Sequence, residues 1–376
     1  MFGSSIKIGR IFGIPIGVHY TWFIVFILIT GILGSNYFPS EFPRWSGFQT
    51  WGVAILTSLL FFASVLAHEL GHSLVAKRYD IGVKSITLFV FGGVAQIAKD
   101  PPRPKVEALI ALAGPLVSLT IGGIFLGIYF AASDRNDSIA GLAYYLGSIN
   151  IMVATFNMIP GFPLDGGRVF RAIVWAVKGN FVSATRFATT VGRGVGYLFI
   201  FIGVIRAFWY NDLSSGLWIA FIGWFLENAA SQSYAQVAIR QALEGIYVRE
   251  VMSRDTSFIF KRIDLQTLID SYINFSGKRF FLVGEAEKWE GVLSLQDIRK
   301  VSREKRRETR VADVMVPVGK VATVKQSDEL LKAIEIMDNA DVNQVPVLDG
   351  ERVVGVLSRE NIVRLLRSRA ELKAGA

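Results

Sequence analysis

The chain has 376 residues, of which 52% are hydrophobic, and its formal net charge is +9 at pH 7. The mean hydropathy of +0.42 is too high for an ordinary soluble protein, so we expect a membrane protein. The absence of cysteine excludes disulfide bonds and thiolate metal sites. The N-terminus lacks a small-residue cleavage site after a short apolar core and is not interpreted as a signal peptide.

Six apolar stretches are candidates to cross a bilayer, which takes roughly 20 residues of helix. In chain order they are 20–34, 51–76, 106–132, 139–159, 191–209 and 213–229. The sequence therefore predicts a polytopic α-helical membrane domain over residues 1–230.

Basic residues are concentrated in alternate connections between these stretches. One set of connections carries Lys7, Arg10, Lys77, Arg78, Lys84, Lys99, Arg103, Lys105, Arg168, Arg171, Lys178 and Arg186, and the other carries Arg44, Arg135 and Arg206. The positive-inside rule then predicts a multi-pass cell-membrane protein whose N-terminus and C-terminal tail are cytosolic. A nucleic-acid partner is not expected, because the basic residues flank apolar stretches and do not cluster with aromatic stacking platforms.

The segment "HELGH" at residues 68–72 contains two of the three histidines in the chain. His68 and His72 are four residues apart and share one helix face, so both imidazoles can bind one ion while Glu69 holds a water molecule on it. An unpaired carboxylate in an apolar helix is costly, so the presence of Glu69 there indicates a functional site. The alternative is a helix end with polar residues near the membrane surface.

A third ligand is needed, because catalytic zinc usually takes three protein ligands. Without cysteine it must be His19, a carboxylate or a weaker oxygen ligand. The best candidate is Asp165 in "NMIPGFPLDGGR", residues 157–168, where prolines and glycines break the helix. Broken backbone at membrane depth is tolerated where it lines a cavity. The alternative is that Asp165 caps a helix starting at Arg168.

"HELGH" followed by "NMIPGFPLDGG" resembles the site-2 protease family of intramembrane zinc metalloproteases. The resemblance covers about residues 10–230. It implies that His68, His72 and Asp165 bind Zn²⁺, that Glu69 is the general base and acid, and that Asn157 holds the substrate or stabilises the oxyanion.

The segment 82–98, "GVKSITLFVFGGVAQIA", is rich in β-branched and aromatic residues and predicts a membrane-associated β-hairpin near the site. Similar segments in the resembled family are thought to offer an edge strand to the substrate. The alternative is a cytosolic hairpin with no role in substrate binding.

Small residues indicate close helix packing at two other places. Gly114 and Ser118 have the spacing of a small-xxx-small motif, and Gly192 and Gly196 are interpreted as a helix-packing face. His19 precedes the first span beside aromatic residues and is left without a role.

The tail contains an internal repeat. "VREVM" at 248–252 recurs as "VADVM" at 311–315, and "GVLSLQDI" at 291–298 recurs as "GVLSREN" at 355–361. The sequence therefore predicts a linker at 231–245 and two copies of one α/β unit, at 246–306 and 309–368.

These copies resemble a pair of CBS modules, which often bind adenine nucleotides (ATP, ADP or AMP). The residues that carry the resemblance are Ser294 with Asp297 in copy one and Ser358 with Asn361 in copy two. A carboxylate accepts both ribose hydroxyl protons, whereas an amide supplies one acceptor oxygen, so copy two is the less orthodox site. The alternative is a dimerisation module without a ligand.

The predicted function is an intramembrane zinc metalloprotease that acts on transmembrane segments of other proteins after a first cut has removed their extracytoplasmic part. The CBS pair would regulate it or join a homodimer. One alternative is a transporter or channel gated by the CBS pair, with the His/Asp cluster as a cation site. Another is a catalytically dead receptor, which the intact Glu69 disfavours.

Overall fold

The computed structural model describes residues 5–90, 92–97, 99–274, 278–285 and 288–374. The chain forms two compact units, Met1–Val237 and Ala238–Ala376. A single helix runs through most of the expected linker 231–245 and ends at Leu243.

The first unit is built mainly from long helices. They are α1 (Thr21–Glu41, with a π-helical turn at Leu33–Tyr37), α2 (Gly47–Arg78), α3 (Pro104–Ala132), α4 (Asp137–Asn157), α5 (Asp165–Lys178), α6 (Phe181–Trp209) and α7 (Leu213–Leu243). Among the described residues, α1, α2, α3, α4 and α6 are long and apolar enough to cross a membrane. The sixth expected span falls in α7, where Ser214, Ser215, Glu227 and Asn228 lower the hydropathy.

A four-stranded sheet accompanies these helices. Its strands are β1 (Ser5–Ile11), β2 (Ile14–His19), β3 (Val83–Phe89) and β4 (Gly92–Ile97), in that spatial order. β2 and β3 are parallel and the other pairs are antiparallel. The hairpin predicted at 82–98 is thus present as β3 and β4, although residues 91 and 98 lie outside the described part of the chain. β4 forms one edge of this sheet in the described residues.

Glycine brings α2 and α3 close together near the predicted metal ligands. A Cβ on Gly71 would lie 2.9 Å from Val117 Cγ2 and 3.0 Å from the Ala113 carbonyl oxygen. Such distances leave no room for a side chain at position 71. The HELGH turn of α2 therefore lies directly against the middle of α3.

The loop between α4 and α5 folds back tightly on its neighbours. A Cβ on Gly166 would lie 2.3 Å from the Met158 carbonyl oxygen, and one on Gly192 of α6 would lie 2.3 Å from the Phe162 carbonyl oxygen. Gly192 therefore packs against this loop, whereas Gly196 packs against α7, where its Cβ would lie 2.8 Å from the Gly223 carbonyl oxygen. Close contacts at Gly166 and Gly192 therefore hold the loop that leads into α5 against its neighbours.

The second unit contains two small sheets. One comprises β5 (Phe258–Ile259), β6 (Phe280–Glu285), β7 (Lys288–Ser294) and β8 (Val316–Pro317). The other comprises β9 (Val324–Lys325), β10 (Gln344–Asp349) and β11 (Arg352–Ser358). Its helices are α8 (Val248–Val251), α9 (Leu265–Leu268), α10 (Leu295–Arg299), α11 (Val311–Val314), α12 (Leu330–Asn339) and α13 (Arg359–Ala374).

The repeat is visible in the structure as two small sheets, each with its own core. Val248 and Val251 of α8 pack in the core formed by copy two. Val311 of α11 packs in the core of copy one, and β8 pairs with β7 of that copy. The opening helix of each predicted copy, 246–306 and 309–368, therefore packs in the core of the other copy.

Candidate metal centre

Three side chains converge between α2 and α5. His68 Nε2 lies 3.1 Å from Asp165 Oδ2, and His72 Nε2 lies 3.2 Å from the same oxygen. The two Nε2 atoms are 3.1 Å apart. Both histidines are buried and Asp165 is half-buried. Ligand atoms on one tetrahedral zinc ion, with bonds of about 2.0–2.1 Å, are about 3.3 Å apart, so these three fit a single ion.

Both imidazoles are oriented by α3 through their other ring nitrogen. Ser118 Oγ lies 2.9 Å from His68 Nδ1, and the Ile110 carbonyl oxygen lies 2.6 Å from His72 Nδ1. A carbonyl oxygen only accepts, so His72 Nδ1 carries the proton and its Nε2 lone pair is free to bind a metal. The Ser118 hydroxyl can accept from His68 Nδ1 in the same way.

Gly114 of α3 faces the two Nε2 atoms. A Cβ at this position would lie 2.2 Å from His72 Nε2 and 2.5 Å from His68 Nε2. The small-xxx-small spacing of Gly114 and Ser118 therefore serves the metal-binding residues in addition to helix packing. Glycine at 114 makes room for the imidazoles, and Ser118 orients one of them.

Asp165 is the first residue of α5, and Leu164, not Asp165, occupies the N-cap position. The alternative in which Asp165 caps a helix starting at Arg168 is therefore wrong, because the helix begins three residues earlier and the carboxylate instead contacts both imidazoles.

Glu69 is half-buried and lies against β4. A Cβ on Gly93 would lie 2.4 Å from Glu69 Cγ and 3.4 Å from Glu69 Oε1. Glu69, which directly follows His68 in sequence, thus contacts β4, the edge strand of the sheet.

Two other predicted residues have simpler surroundings. Asn157 is the last residue of α4 and is half-buried at the start of the loop that leads to Asp165. His19 ends β2, and its Nδ1 lies 2.9 Å from Thr21 Oγ1. His19 is outside the group of three convergent ligands found in the described residues.

The predicted nucleotide-binding residues line two neighbouring clefts of the second unit. Ser294 and Asp297 line a cleft of about 440 Å³, and Asn361 lines one of about 830 Å³. Ser358 lines both clefts. These volumes fall within the range of small-molecule sites, about 300–1,000 Å³.

Sequence reasoning missed the residues that orient the histidines. The carbonyl of Ile110 has no sequence signature, since every residue has one. Ser118 did carry a signal, because a hydroxyl on an apolar helix beside a predicted ligand helix is a candidate partner for an imidazole.

Comparisons with known proteins show the family of this chain. Residues 56–135 and 131–203 match the family model "Peptidase family M50", and residues 311–368 match "CBS domain". The chain is 34% identical to "Putative zinc metalloprotease sll0528" of Synechocystis over 98% of this chain and 97% of the relative. The chain belongs to peptidase family M50.

Two further matches come from Methanocaldococcus jannaschii. The chain is 30% identical to "Zinc metalloprotease MJ0392" over 98% of this chain and 99% of that one. The solved structure "Site-2 Protease from Methanocaldococcus jannaschii" is 32% identical and covers 61% of this chain and 95% of its own, with a TM-score of 0.44.

The M50 chain is therefore a zinc metalloprotease and a multi-pass membrane protein with a CBS tail. The family assignment decides against the alternatives of a gated transporter and of a receptor without activity.

Proposed function

We propose that this protein hydrolyses a peptide bond in a transmembrane segment of another protein, with His68, His72 and Asp165 as the zinc ligands. The observation that carries the proposal is the convergence of three ligand atoms beside a carboxylate that contacts an edge strand. Each part has a separate role in the hydrolysis.

The ligand set fits zinc. Two neutral imidazoles and one carboxylate are a common combination in catalytic zinc sites, which keep a further position open. When bound, zinc would act as a Lewis acid and would lower the pKa of water at the open position. Ser118 and the Ile110 carbonyl fix the ring orientation of the two histidines, which raises their basicity as ligands.

Glu69 is suited to move the proton in this reaction. Its carboxylate accepts a proton from the attacking water as general base and then donates it to the departing amide nitrogen as general acid. Asn157 supplies an amide donor that can hold the substrate or face the developing oxyanion. Its place at the end of α4, before the Asp165 loop, supports this role.

β4 is suited to hold the substrate. A transmembrane helix must unwind before its peptide bonds become accessible, and its freed backbone groups then need partners. A strand at the edge of a sheet supplies them by strand addition. Because Gly93 of β4 contacts Glu69, a peptide added along this edge would lie near the catalytic base.

We further propose that the N-terminus and the tail are cytosolic, as the distribution of Lys and Arg predicts. The substrates would be membrane proteins that have already lost their extracytoplasmic part. Water would reach the site from the cytosolic side, where α2 ends in Lys77 and Arg78.

The tail is proposed to bind an adenine nucleotide that regulates cleavage. The cleft that contains Ser294 and Asp297 is also lined by four cationic side chains, Arg279, Arg299, Lys320 and Arg359, which would attract phosphate groups. Burial opposes ionisation of Asp297, but hydrogen bonds from Ser294 and Lys300 hold the pKa of Asp297 below its usual value. The ionised carboxylate can accept hydrogen bonds from ribose hydroxyls.

The test is cleavage of a helical membrane substrate by the purified protein in detergent, with and without a zinc chelator. We expect cleavage that stops when zinc is removed and returns when zinc alone is added back. Cleavage that continues after complete removal of the metal would contradict the proposal, as would a fully zinc-loaded protein that cleaves no membrane substrate.

A further inference from the structure

A buried ion pair lies on the same face of α3 that orients the metal ligands. Glu107 Oε1 accepts hydrogen bonds from Nε of Arg171, at 2.7 Å, and from Nη2 of the same residue. Glu107 is 0% exposed and Arg171 is 7% exposed. Glu107 belongs to α3 and Arg171 to α5, so the pair joins the helix that orients the histidines to the helix that begins with Asp165.

Position along α3 connects this pair with the metal site. Glu107, Ile110, Gly114 and Ser118 follow one another at intervals of three, four and four residues, which places them on one face of the helix. The Ile110 carbonyl and the Ser118 hydroxyl contact the histidines, and Gly114 leaves the space that the two imidazoles occupy. The fourth holds α5 through Arg171.

Arg171 also contacts the loop that leads to Asp165. Its guanidinium carbon lies 4.7 Å from the centre of the Phe162 ring and 4.6 Å from that of Phe181. Its Nη1 lies 3.4 Å from Thr185 Oγ1 of α6. A planar cation that stacks on two rings and donates two hydrogen bonds to one carboxylate is held in one orientation.

A buried ion pair is weak evidence for stability, because the cost of desolvating two charges can exceed their attraction. Here the cost is increased, since Glu107 Oε2 has no hydrogen-bond partner among the described residues. Stability therefore does not explain the Glu107–Arg171 pair. The pair joins α3, which orients the histidines, to α5, which carries Asp165.

We propose that Glu107 and Arg171 are positioning residues that hold Asp165 in register with His68 and His72. The inference rests on the proposed zinc site and adds residues that touch neither metal nor substrate. Ser118 and Ile110 set two ligands from α3, and the Glu107–Arg171 pair sets the third from the same helix. Loss of the pair should let α5 shift, so that the ligands no longer converge on one point.

The experiment measures zinc affinity of the full chain in detergent by competition with a chromophoric chelator. The variants are Glu107→Gln, which removes the charge, and Arg171→Lys, which keeps the charge but loses the fork and the stacking. The control is Arg193→Lys, which alters an exposed Arg–Glu pair with Glu227 elsewhere in the same unit. We expect about tenfold or greater loss of zinc affinity in the first two variants, the usual effect of removing a group that orients ligands, and none in the control.

Two further readouts separate positioning from simple stabilisation. The visible absorption of the Co²⁺-substituted protein should change in both variants, since it reports ligand geometry. In cleavage assays kcat should fall while KM stays within about twofold, because the Arg171 guanidinium contacts Phe162, Phe181 and Thr185, which lie outside β4. Wild-type zinc affinity and an unchanged Co²⁺ spectrum, with only a lower unfolding temperature, would overturn the proposal.

A double variant covers the case in which the single variants fail to fold. Replacing a buried ion pair with apolar residues of similar size is often neutral or stabilising, so Glu107→Met with Arg171→Met should fold. We expect it to bind zinc at least about tenfold more weakly, and wild-type affinity would refute the positioning role. If the wild-type protein itself bound no zinc, the proposed function would fail, which is a distinct result.

Discussion

The hydroxyl oxygen of Ser118 on α3 lies 2.9 Å from Nδ1 of His68 on α2. This hydrogen bond fixes which imidazole nitrogen is left for a metal, and it comes from a helix that contributes no ligand itself. We expect Ser118→Ala to bind zinc about 10–100-fold more weakly than the wild type. Chelator competition measures this, with Thr120→Ala as the control, because the Thr120 hydroxyl is exposed and donates to the Leu116 carbonyl of its own helix. Equal affinities in the two variants would mean that Ser118 only packs.

Gly114 should tolerate no side chain. Its Cβ would lie 2.2 Å from His72 Nε2, so Gly114→Ala should displace an imidazole and abolish zinc binding. Gly123→Ala is a matched control on the same helix, since its Cβ would meet nothing within 4 Å. Removing a helical glycine there should leave the protein at least as stable as the wild type. Metal analysis after dialysis compares the two, and full zinc occupancy in Gly114→Ala would contradict the site geometry.

Asp165 and His19 should differ in their effect on metal content. Asp165→Ala removes a proposed ligand and should lower zinc occupancy far more than His19→Ala, which removes a side chain outside the group of three convergent ligands. Both variants are dialysed against metal-free buffer and analysed for zinc. Equal losses would show that the third ligand has been misassigned.

The two copies of the tail should contribute unequally to nucleotide binding. Asp297→Ala should weaken binding of an adenine nucleotide by at least about tenfold, since a hydrogen bond to a charged group contributes about 1.5–3 kcal/mol. Asn361→Ala should have a smaller effect, because an amide offers a single acceptor oxygen.

Calorimetry on the full chain in detergent with ATP, ADP and AMP measures this difference. The unfolding temperature serves as control, because Asp297 also forms a capping box with Ser294. No heat with any of the three nucleotides would leave the tail as a dimerisation module.

Local sequence patterns were sufficient to propose the three metal ligands, because these residues come from two short segments, and the structure brings the three side chains together. The four-residue spacing of His68 and His72 placed both on one helix face, and the break that contains Asp165 indicated a functional loop. The residues that orient the ligands could not be predicted with the same ease. Ile110 acts through a backbone carbonyl, and Glu107 and Arg171 meet only after α3 and α5 have packed.

The tail shows the same limit. The repeat of "VREVM" and "VADVM" predicted two related units, and the structure contains them. The core in which each opening helix packs depends on contacts between residues far apart in sequence, such as Val248 with the core of copy two. Repeat order alone carries no information about this exchange.

The substitution Glu69→Gln is the most direct test of the proposed zinc protease mechanism. Glu69→Gln removes the proton acceptor but leaves His68, His72 and Asp165 unchanged. Zinc content and cleavage of a helical membrane substrate should be measured on the same preparation of this variant. We expect wild-type zinc content together with a loss of turnover of at least about 100-fold, the scale of general acid–base catalysis. Wild-type turnover by the zinc-loaded variant would contradict the assignment of Glu69 as the catalytic base.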